Sequence, residues 1–416
     1  MRCRQREVEA DLNLKARLGR IRRSAAESCA ESCAESCAKS CAKSCAKSCA
    51  KSDAIARASW HGWSEAGFNV LKREVCRELP FFIPPAFAPE LAILVPDIIQ
   101  MGRLPSPREL LFFDLETTGL SSGAGTVAFL AAFGRFVSPR ASPPIIKITQ
   151  YLLLDYPGES EFVENMVQEF SASGELTYEA QLLADSPPLM VSYNGKSFDS
   201  QILKTRCLMN GIRQPDYFHA DLIHPARRLW KGQIENCSQA TIEVSVLGLD
   251  RAGDVSGAMA PDIWFSFLRS GETHDLFSIC DHNVRDISGL ASLFLCLGEI
   301  AQDPLGAQKK FRFNGEALAL FWRKFLCNYP EFFGSDESCR QRARTGDILL
   351  RTAAENGGIR AAVVMAKIAE WRLCDPALAL SYVNAALAAD EMPEILRREL
   401  EKRRARLEGK IALIPI

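Results

Sequence analysis

The run Leu110-Leu111-Phe112-Phe113, followed at once by Asp114-Leu115-Glu116, is the strictest constraint in this sequence. Four apolar residues bounded by the turn formers Thr117, Thr118 and Gly119 describe a short strand buried on both faces. Side chains at i and i+2 share one side of a strand, so Asp114 and Glu116 converge on one point. Two like charges held together raise each other's proton affinity unless a cation lies between them, and a divalent metal ion meets that need. An isolated Asp-x-Glu is common by chance. On this stretch alone, a strand that ends here with both acids solvated in a loop is an equally good reading.

At 416 residues the chain has room for two or three domains, and 47% hydrophobic with 24% charged residues suits a globular protein with a large core. A net charge of -1 gives no global attraction to polyanions, so a nucleic-acid site must be a local patch. The apolar stretch at 81–99 is broken by four prolines, and the N-terminus lacks the apolar core of a secretory signal. The expectation is a cytoplasmic protein without a membrane partner. Of the fifteen cysteines, six (Cys29, Cys33, Cys37, Cys41, Cys45 and Cys49) belong to one tetrapeptide repeat. The other nine form no C-x-x-C pair, which argues against a zinc ribbon or a thioredoxin-type motif and leaves reduced, mostly buried thiols.

Residues 1–53 read as a basic segment followed by a disordered linker built on the Ser-Cys-Ala-Glu/Lys repeat. Its period of four drifts about 40° per repeat around a helix and builds no fixed seam. Residues 54–105, with aromatics and prolines, read as an extension packed on the next domain. From 106 to 302 strand-like and helix-like segments alternate, which predicts an α/β domain. Strands are expected at 110–116, 125–137, 145–155, 189–193 and near 218–223, with helices at 159–171, 198–210 and about 275–299. The first three strands follow one another through Gly- or Pro-containing turns and are expected antiparallel. The later ones are separated by helices and are expected parallel, giving a mixed sheet flanked by helices. Residues 303–416 are helical in pattern, with an Asp-Pro break at 375 and 376, and resemble about one and a half tetratricopeptide-type hairpins. A helical cap and a partner-binding surface are both open for this region.

Two further segments carry acids at element ends. In "LMVSYNGKSFD", residues 189–199, a strand ends at Tyr193 and Asn194-Gly195 turn the chain; Ser197 is placed to cap a helix, with Phe198 pointing inward and Asp199 in the first turn. Macrodipole stabilisation alone would also choose an acid there. In "CDHNVRDISGLASLFLCLGE", residues 280–299, His282 and Asp286 share one face of a helix, either as surface partners or as ligands. Three segments that each place an acid at an element terminus favour a site, because α/β folds build sites there.

Together "FFDLETTGL", "NGKSFD" and "HNVRD" resemble the three motifs of the DEDD superfamily of 3′–5′ exonucleases, which have the ribonuclease H-like fold. "FHADLIHPARRLW", "TIEVSVLGLDR" and "GLSSGAGTVAFL" are similar more specifically to bacterial YprB-type ribonuclease H-like proteins, in which helical, tetratricopeptide-like C-terminal segments also occur. The resemblance spans residues 109–299. It implies that Asp114, Glu116, Asp199 and Asp286 bind two Mg²⁺ or Mn²⁺ ions, whose preference for oxygen suits carboxylates. It implies that His282 takes the proton of the attacking water. Members with a catalytic His usually space it five residues before the last Asp; here the spacing is four and Asp281 stands five before.

For a nucleic-acid strand, Thr117 and Asn194 in the motifs, Lys196 beside the second, and Arg227, Arg228 and Lys231 around Trp230 are the candidate contacts. A buried Trp230 on an amphipathic helix with solvated arginines is the competing reading. His219, Asp221 and His224 could suggest a further metal site and are read as structural. The expected function is a metal-dependent nuclease, with a non-cleaving nucleic-acid-binding module whose helical tail recruits a protein partner as the alternative.

Overall fold

Period-two patterning dictates the sheet, and the aromatic residues on its two faces decide what covers it. The computed structural model describes residues 62–119, 123–138, 143–171, 186–329, 337–389 and 392–413. The expected basic segment and Cys-repeat linker lie outside these residues. The strands are β1 (Trp63–Gly67), β2 (Val70–Glu78), β3 (Leu110–Thr117), β4 (Ala128–Ser138), β5 (Ile145–Leu153), β6 (Leu189–Ser192) and β7 (Phe218–Asp221). They form one sheet in the order β1-β2-β5-β4-β3-β6-β7. β3, β4 and β5 are antiparallel neighbours, whereas β6 and β7 run parallel to β3, as their connections require.

The extension is not an appendage. Its β1–β2 hairpin continues the sheet by pairing β2 antiparallel with β5 from Val70↔Leu153 to Glu78↔Ile145. Phe81, Ile83, Phe87 and the short helix α1 (Leu91–Leu94) then enter the main core.

Helix α2 (Glu159–Ser171) covers one face, and α7 (His274–Gln302) the other; between them come α3 (Asp199–Asn210), α4 (Ile223–Trp230), α5 (Gln239–Ile242) and α6 (Ala260–Ser270). Successive residues of β3 serve the two faces. Phe112 packs edge-on against Phe136 and against Phe294 of α7, with ring centroids 5.2 and 6.1 Å apart. Phe113, pointing the other way, meets Phe133 at 5.1 Å and Phe170 of α2 at 5.9 Å. Burial of each such ring contributes about 1.5–3 kcal/mol, so β3 is anchored from both sides before its acids emerge.

After α7 come α8 (Pro304–Phe311), α9 (Gly315–Asn328), α10 (Glu337–Glu355), α11 (Ile359–Trp371), α12 (Pro376–Leu387) and α13 (Glu394–Ala412). Asp375 caps α12 by accepting from the Leu378 N–H at 2.9 Å, with Pro376 at the first helical position, which accounts for the Asp-Pro break. Buried Glu370 on α11 accepts from Arg403, Arg406 and Lys410 of α13 at 2.7–2.9 Å, which fastens the last helix. Leu318, Trp322, Leu350, Ala366 and Val383 belong to the same core as the sheet. Among the described residues, no helix is long and apolar enough to cross a membrane.

Gly134 of β4 lies tightly under Ile287 of α7. A Cβ there would stand 2.5 Å from Ile287 Cγ2, 2.8 Å from Ile146 Cδ1 and 3.2 Å from Phe112 Cβ. Gly134→Val is therefore expected to lower stability by about 1–3 kcal/mol through overpacking. Urea unfolding of the variant checks this, and an unchanged midpoint would contradict the packing described.

Candidate metal centre and cleft

Apolar anchoring of β3 delivers its two acids to the carboxyl ends of the parallel strands, where open α/β sheets build sites. β6 pairs with β3 only as far as Phe112↔Val191, so Asp114 and Glu116 extend beyond that pairing. On the other side, the register with β4 shifts between Glu116 and Thr117. Such a bulge bends the strand and re-aims the residues beside it. Thr117 turns its hydroxyl to the Gly119 carbonyl at 2.8 Å.

The second motif reaches the same place through a fixed turn. Asn194 adopts φ 63°, and the Ser197 N–H donates to the Asn194 carbonyl at 3.2 Å. Asp221 at the end of β7 secures this turn, accepting from the backbone N–H of Asn194 at 2.7 Å and of Lys196 at 3.1 Å. His219 lies 2.7 Å from the Ser192 hydroxyl, and burial pushes its pKa down to about 4. These two residues tie β6 to β7 and brace the loop, while His224 is exposed on α4.

Helix α3 then begins at Asp199, with Phe198 in the cap position. This corrects the expectation that Ser197 caps the helix and Phe198 points inward. Ile202, Leu203, Arg206 and Cys207 already fill the core-facing side of α3, and Phe198 is left 42% exposed. It lines a cleft of about 190 Å³ together with Glu116, Thr117, Gly119, Asp199, Gly257 and Pro261.

Helix α7 closes the site. One donor atom from each of Glu116, His282 and Asp286 lies within 4.8 Å of the others. His282 Nε2 is 3.2 Å from Asp286 Oδ2 and 4.0 Å from Glu116 Oε1. The spacing of four thus puts His282 and Asp286 on one face. Asp281 points away, is exposed, and pairs with Arg73 at 3.1 Å.

Burial first, and then the neighbouring Asp286, Asp199 and Glu116 carboxylates, raise the pKa of Asp114 well above the usual carboxylate range. Glu116 is raised in the same way by burial, Asp286, Asp199 and Asp254. Burial pushes Asp199 up to about 7, against the lowering effect of backbone hydrogen bonds from its own N–H and that of Leu115. Asp114 and Glu116 therefore both feel the fields of Asp199 and Asp286. Hard oxygen donors with one imidazole fit an oxophilic divalent ion better than a soft metal.

Several residues at the site escaped the sequence reading. Asn283 donates to Asp114 Oδ2 at 2.7 Å and accepts from the buried Gln150 at 2.8 Å; Gln150 in turn accepts from Arg73 of β2 at 2.7 Å. Asp254, in the loop before α6, stands 3.0 Å from His282 Nδ1. Arg251 donates to Glu243, to Asp254 and to Asp286. Burial pushes Glu243 up to about 7 despite Arg251. Asn283 lies inside "HNVRD" three residues before Asp286, a spacing that shares a helix face, so its role could have been found. Asp254 sits in an irregular loop that periodicity does not reach.

The proposed strand contacts are scattered. Lys196 is paired with Asp97 at 2.6 Å. Arg228 lies 3.4 Å from the Phe321 ring centre and donates to the Leu94 carbonyl. Trp230 is fully buried, with its indole N–H on the Phe311 carbonyl at 2.9 Å, so it offers no face for stacking. Arg227 and Lys231 are exposed, and none of these residues lines the cleft.

The model of the RNase H superfamily matches residues 111–298, the span from β3 to the last turns of α7. An uncharacterized protein YprB from Bacillus subtilis (strain 168) is 33% identical over 238 residues, covering 56% of this chain and 51% of that protein. The chain thus spans about half the length of this relative. Among solved structures, the family B DNA polymerase from the hyperthermophilic archaeon Pyrobaculum calidifontis aligns with a TM-score of 0.31 and 13% identity, over 52% of this chain and 29% of that one. Residues 111–298 form a ribonuclease H-like domain, a mixed sheet with flanking helices, and a helical C-terminal region follows it. Within that superfamily the chain is similar to the YprB protein over the 238 aligned residues.

The raised acids make metal-free stability depend on pH. A carboxyl whose folded pKa lies near 7 rather than about 3.9 binds more protons folded than unfolded, so it costs stability as pH rises between those values. In EDTA, Asp199→Asn should therefore gain stability relative to wild type as pH goes from about 4 to about 7. Thermal unfolding across that window checks the sign, and parallel curves for the two proteins would refute it.

Proposed function

We propose that this site hydrolyses phosphodiester bonds of DNA or RNA as a metal-dependent 3′–5′ exonuclease of the DEDD type. What supports the reading above all is the meeting of Asp114, Glu116, Asp199 and Asp286, from three separated segments, at one cleft beside His282. In this reading the four acids hold two Mg²⁺ or Mn²⁺ ions. Such ions, when bound, supply positive charge against the attacking and leaving oxygens of the phosphodiester.

The chain's own groups do the rest. Asp254, a carboxylate, accepts a hydrogen bond from Nδ1–H of His282 and fixes the ring with Nε2 towards Glu116 and Asp286. A ring held in that tautomer is suited to accept a proton from water at Nε2. Phe198, exposed beside Asp199, offers a face for a terminal base, and Thr117 and Gly119 form the wall along which the backbone lies. Arg227 and Lys231, both exposed, are the candidate cations for the strand further out; Lys196 would first have to leave Asp97.

One observation favours the second reading, a nucleic-acid-binding module without efficient cleavage: Asp286 already has a cation in Arg251. In that reading the tetratricopeptide-like helices, with Trp371 63% and Ile395 77% exposed, recruit the protein partner.

The test is digestion of 3′- and 5′-labelled single-stranded DNA and RNA in Mn²⁺, Mg²⁺ or EDTA. Metal-dependent release of mononucleotides from the 3′ end is expected, absent in Asp114→Ala. His282→Ala should lose about 10²–10⁴-fold in rate, as removal of a general base does. Asp254→Asn, which weakens the hold on the ring and on Arg251, should lose about 10–100-fold. Binding of strands without turnover on any substrate would move the conclusion to the second reading.

A further inference from the structure

The segment running from the end of α5 to α6 carries a cation into the acid cluster. Glu243 opens a π-helical turn, Glu243–Leu247, that continues α5. The turn lies against α7 at Gly289, where a Cβ would fall 1.8 Å from Glu243 Oε1, so only glycine admits the carboxylate there. Glu243 Oε2 receives Arg251 Nε at 2.6 Å, and Asp254 Oδ2 receives Arg251 Nη1 at 3.2 Å. Held by these two, Arg251 extends Nη2 to Asp286 Oδ1. The guanidinium is 10% exposed, so its charge acts with little solvent screening.

The two oxygens of Asp286 are thus divided. Oδ1 belongs to Arg251, and Oδ2, 3.2 Å from His282 Nε2, is the oxygen turned to the group formed with His282 and Glu116. We propose that Arg251 is a positioning residue for the metal site: it withholds one oxygen of Asp286, limits that ligand to a single donor, and so weakens divalent binding while discriminating against Ca²⁺.

The argument rests on the nuclease reading only in taking Asp286 as a metal ligand. Ca²⁺ accepts six to eight oxygens and often takes both from one carboxylate, whereas Mg²⁺ keeps octahedral geometry with one or two carboxylates and water. An acid restricted to one oxygen favours the smaller ion. A fixed positive charge beside the ligand also opposes every dication, a debt the protein carries to keep Asp286 ordered before metal arrives. The arrangement accounts for the conjunction of a π-turn, a close glycine and three carboxylates around one arginine, none of which the four-acid set requires.

The experiment is isothermal titration of the full chain with Mn²⁺, Mg²⁺ and Ca²⁺, comparing wild type, Arg251→Met, Arg251→Lys and Glu243→Gln. Arg251→Met should bind Mn²⁺ about tenfold more tightly, as removal of a nearby like charge predicts. Its preference for Mg²⁺ over Ca²⁺ should shrink by a similar factor, and Arg251→Lys should lie between. Should Arg251→Met fail to fold, Glu243→Gln, which loosens the guanidinium without removing it, must shift the Ca²⁺ to Mg²⁺ ratio in the same direction. Unchanged affinities and ratios in folded variants, or weaker binding in Arg251→Met, would overturn the inference. A wild type that binds none of the three ions would instead defeat the nuclease reading itself.

Discussion

Like charges in a confined space are the constraint on which the rest of this structure depends. Asp114, Glu116, Asp199 and Asp286 meet where solvent is largely excluded, and the first two hold their protons well above the usual carboxylate range as a result. Such a group survives only if the scaffold around it is stiff enough to prevent the acids from separating. The double anchoring of β3, through Phe112 to α7 and Phe113 to α2, provides that stiffness at the first two acids. The Asp221-braced turn provides it at Asp199, and the 29-residue helix α7 at Asp286. Each is a secondary-structure solution to an electrostatic problem.

The same constraint explains why the segment before the domain folds onto it. Arg73 on β2 donates to Gln150, Gln150 to Asn283, and Asn283 to Asp114, a polar line that starts in the β1–β2 hairpin and ends at the site. Leaving a buried amide such as Gln150 without a partner costs about 1–3 kcal/mol, so each member stabilises the next. Asp97 plays the matching part at the second motif, taking Lys196 at 2.6 Å and lying 3.3 Å from the Asp221 N–H. Residues 62–105 therefore brace two of the three acid-bearing segments.

The legible part of the fold is the part governed by local periodicity. The strands at 110–117 and 145–153 and helix α2 stand within a residue or two of where alternation and the 3.6-residue period put them, and the antiparallel-then-parallel order follows from the connections. The β1–β2 hairpin was not legible, because Val70–Glu78 reads VLKREVCRE, in which the charged run Lys72-Arg73-Glu74 breaks the period-two alternation that marks a strand. At the site, Asp114, Glu116 and Asp199 were legible because they stand at element ends; Asp286 does not, being interior to α7, and was legible through its four-residue spacing from His282. Trp230 was ambiguous for a physical reason: an indole between Arg227-Arg228 and Lys231 suits a strand contact and a core position equally well, and the Phe311 carbonyl, 81 residues away, decides it.

Asp254 and Arg251 show what sequence order hides most completely. Neither belongs to a regular element, and their partners Glu243, His282 and Asp286 are separated from them by 8 to 35 residues. Yet Asp254 holds Nδ1 of His282, and Arg251 holds Oδ1 of Asp286. The other nitrogen of the ring and the other oxygen of the acid are left to face each other at 3.2 Å. The loop between α5 and α6, which no periodicity announces, thus sets the orientation of two side chains that the regular helix α7 carries.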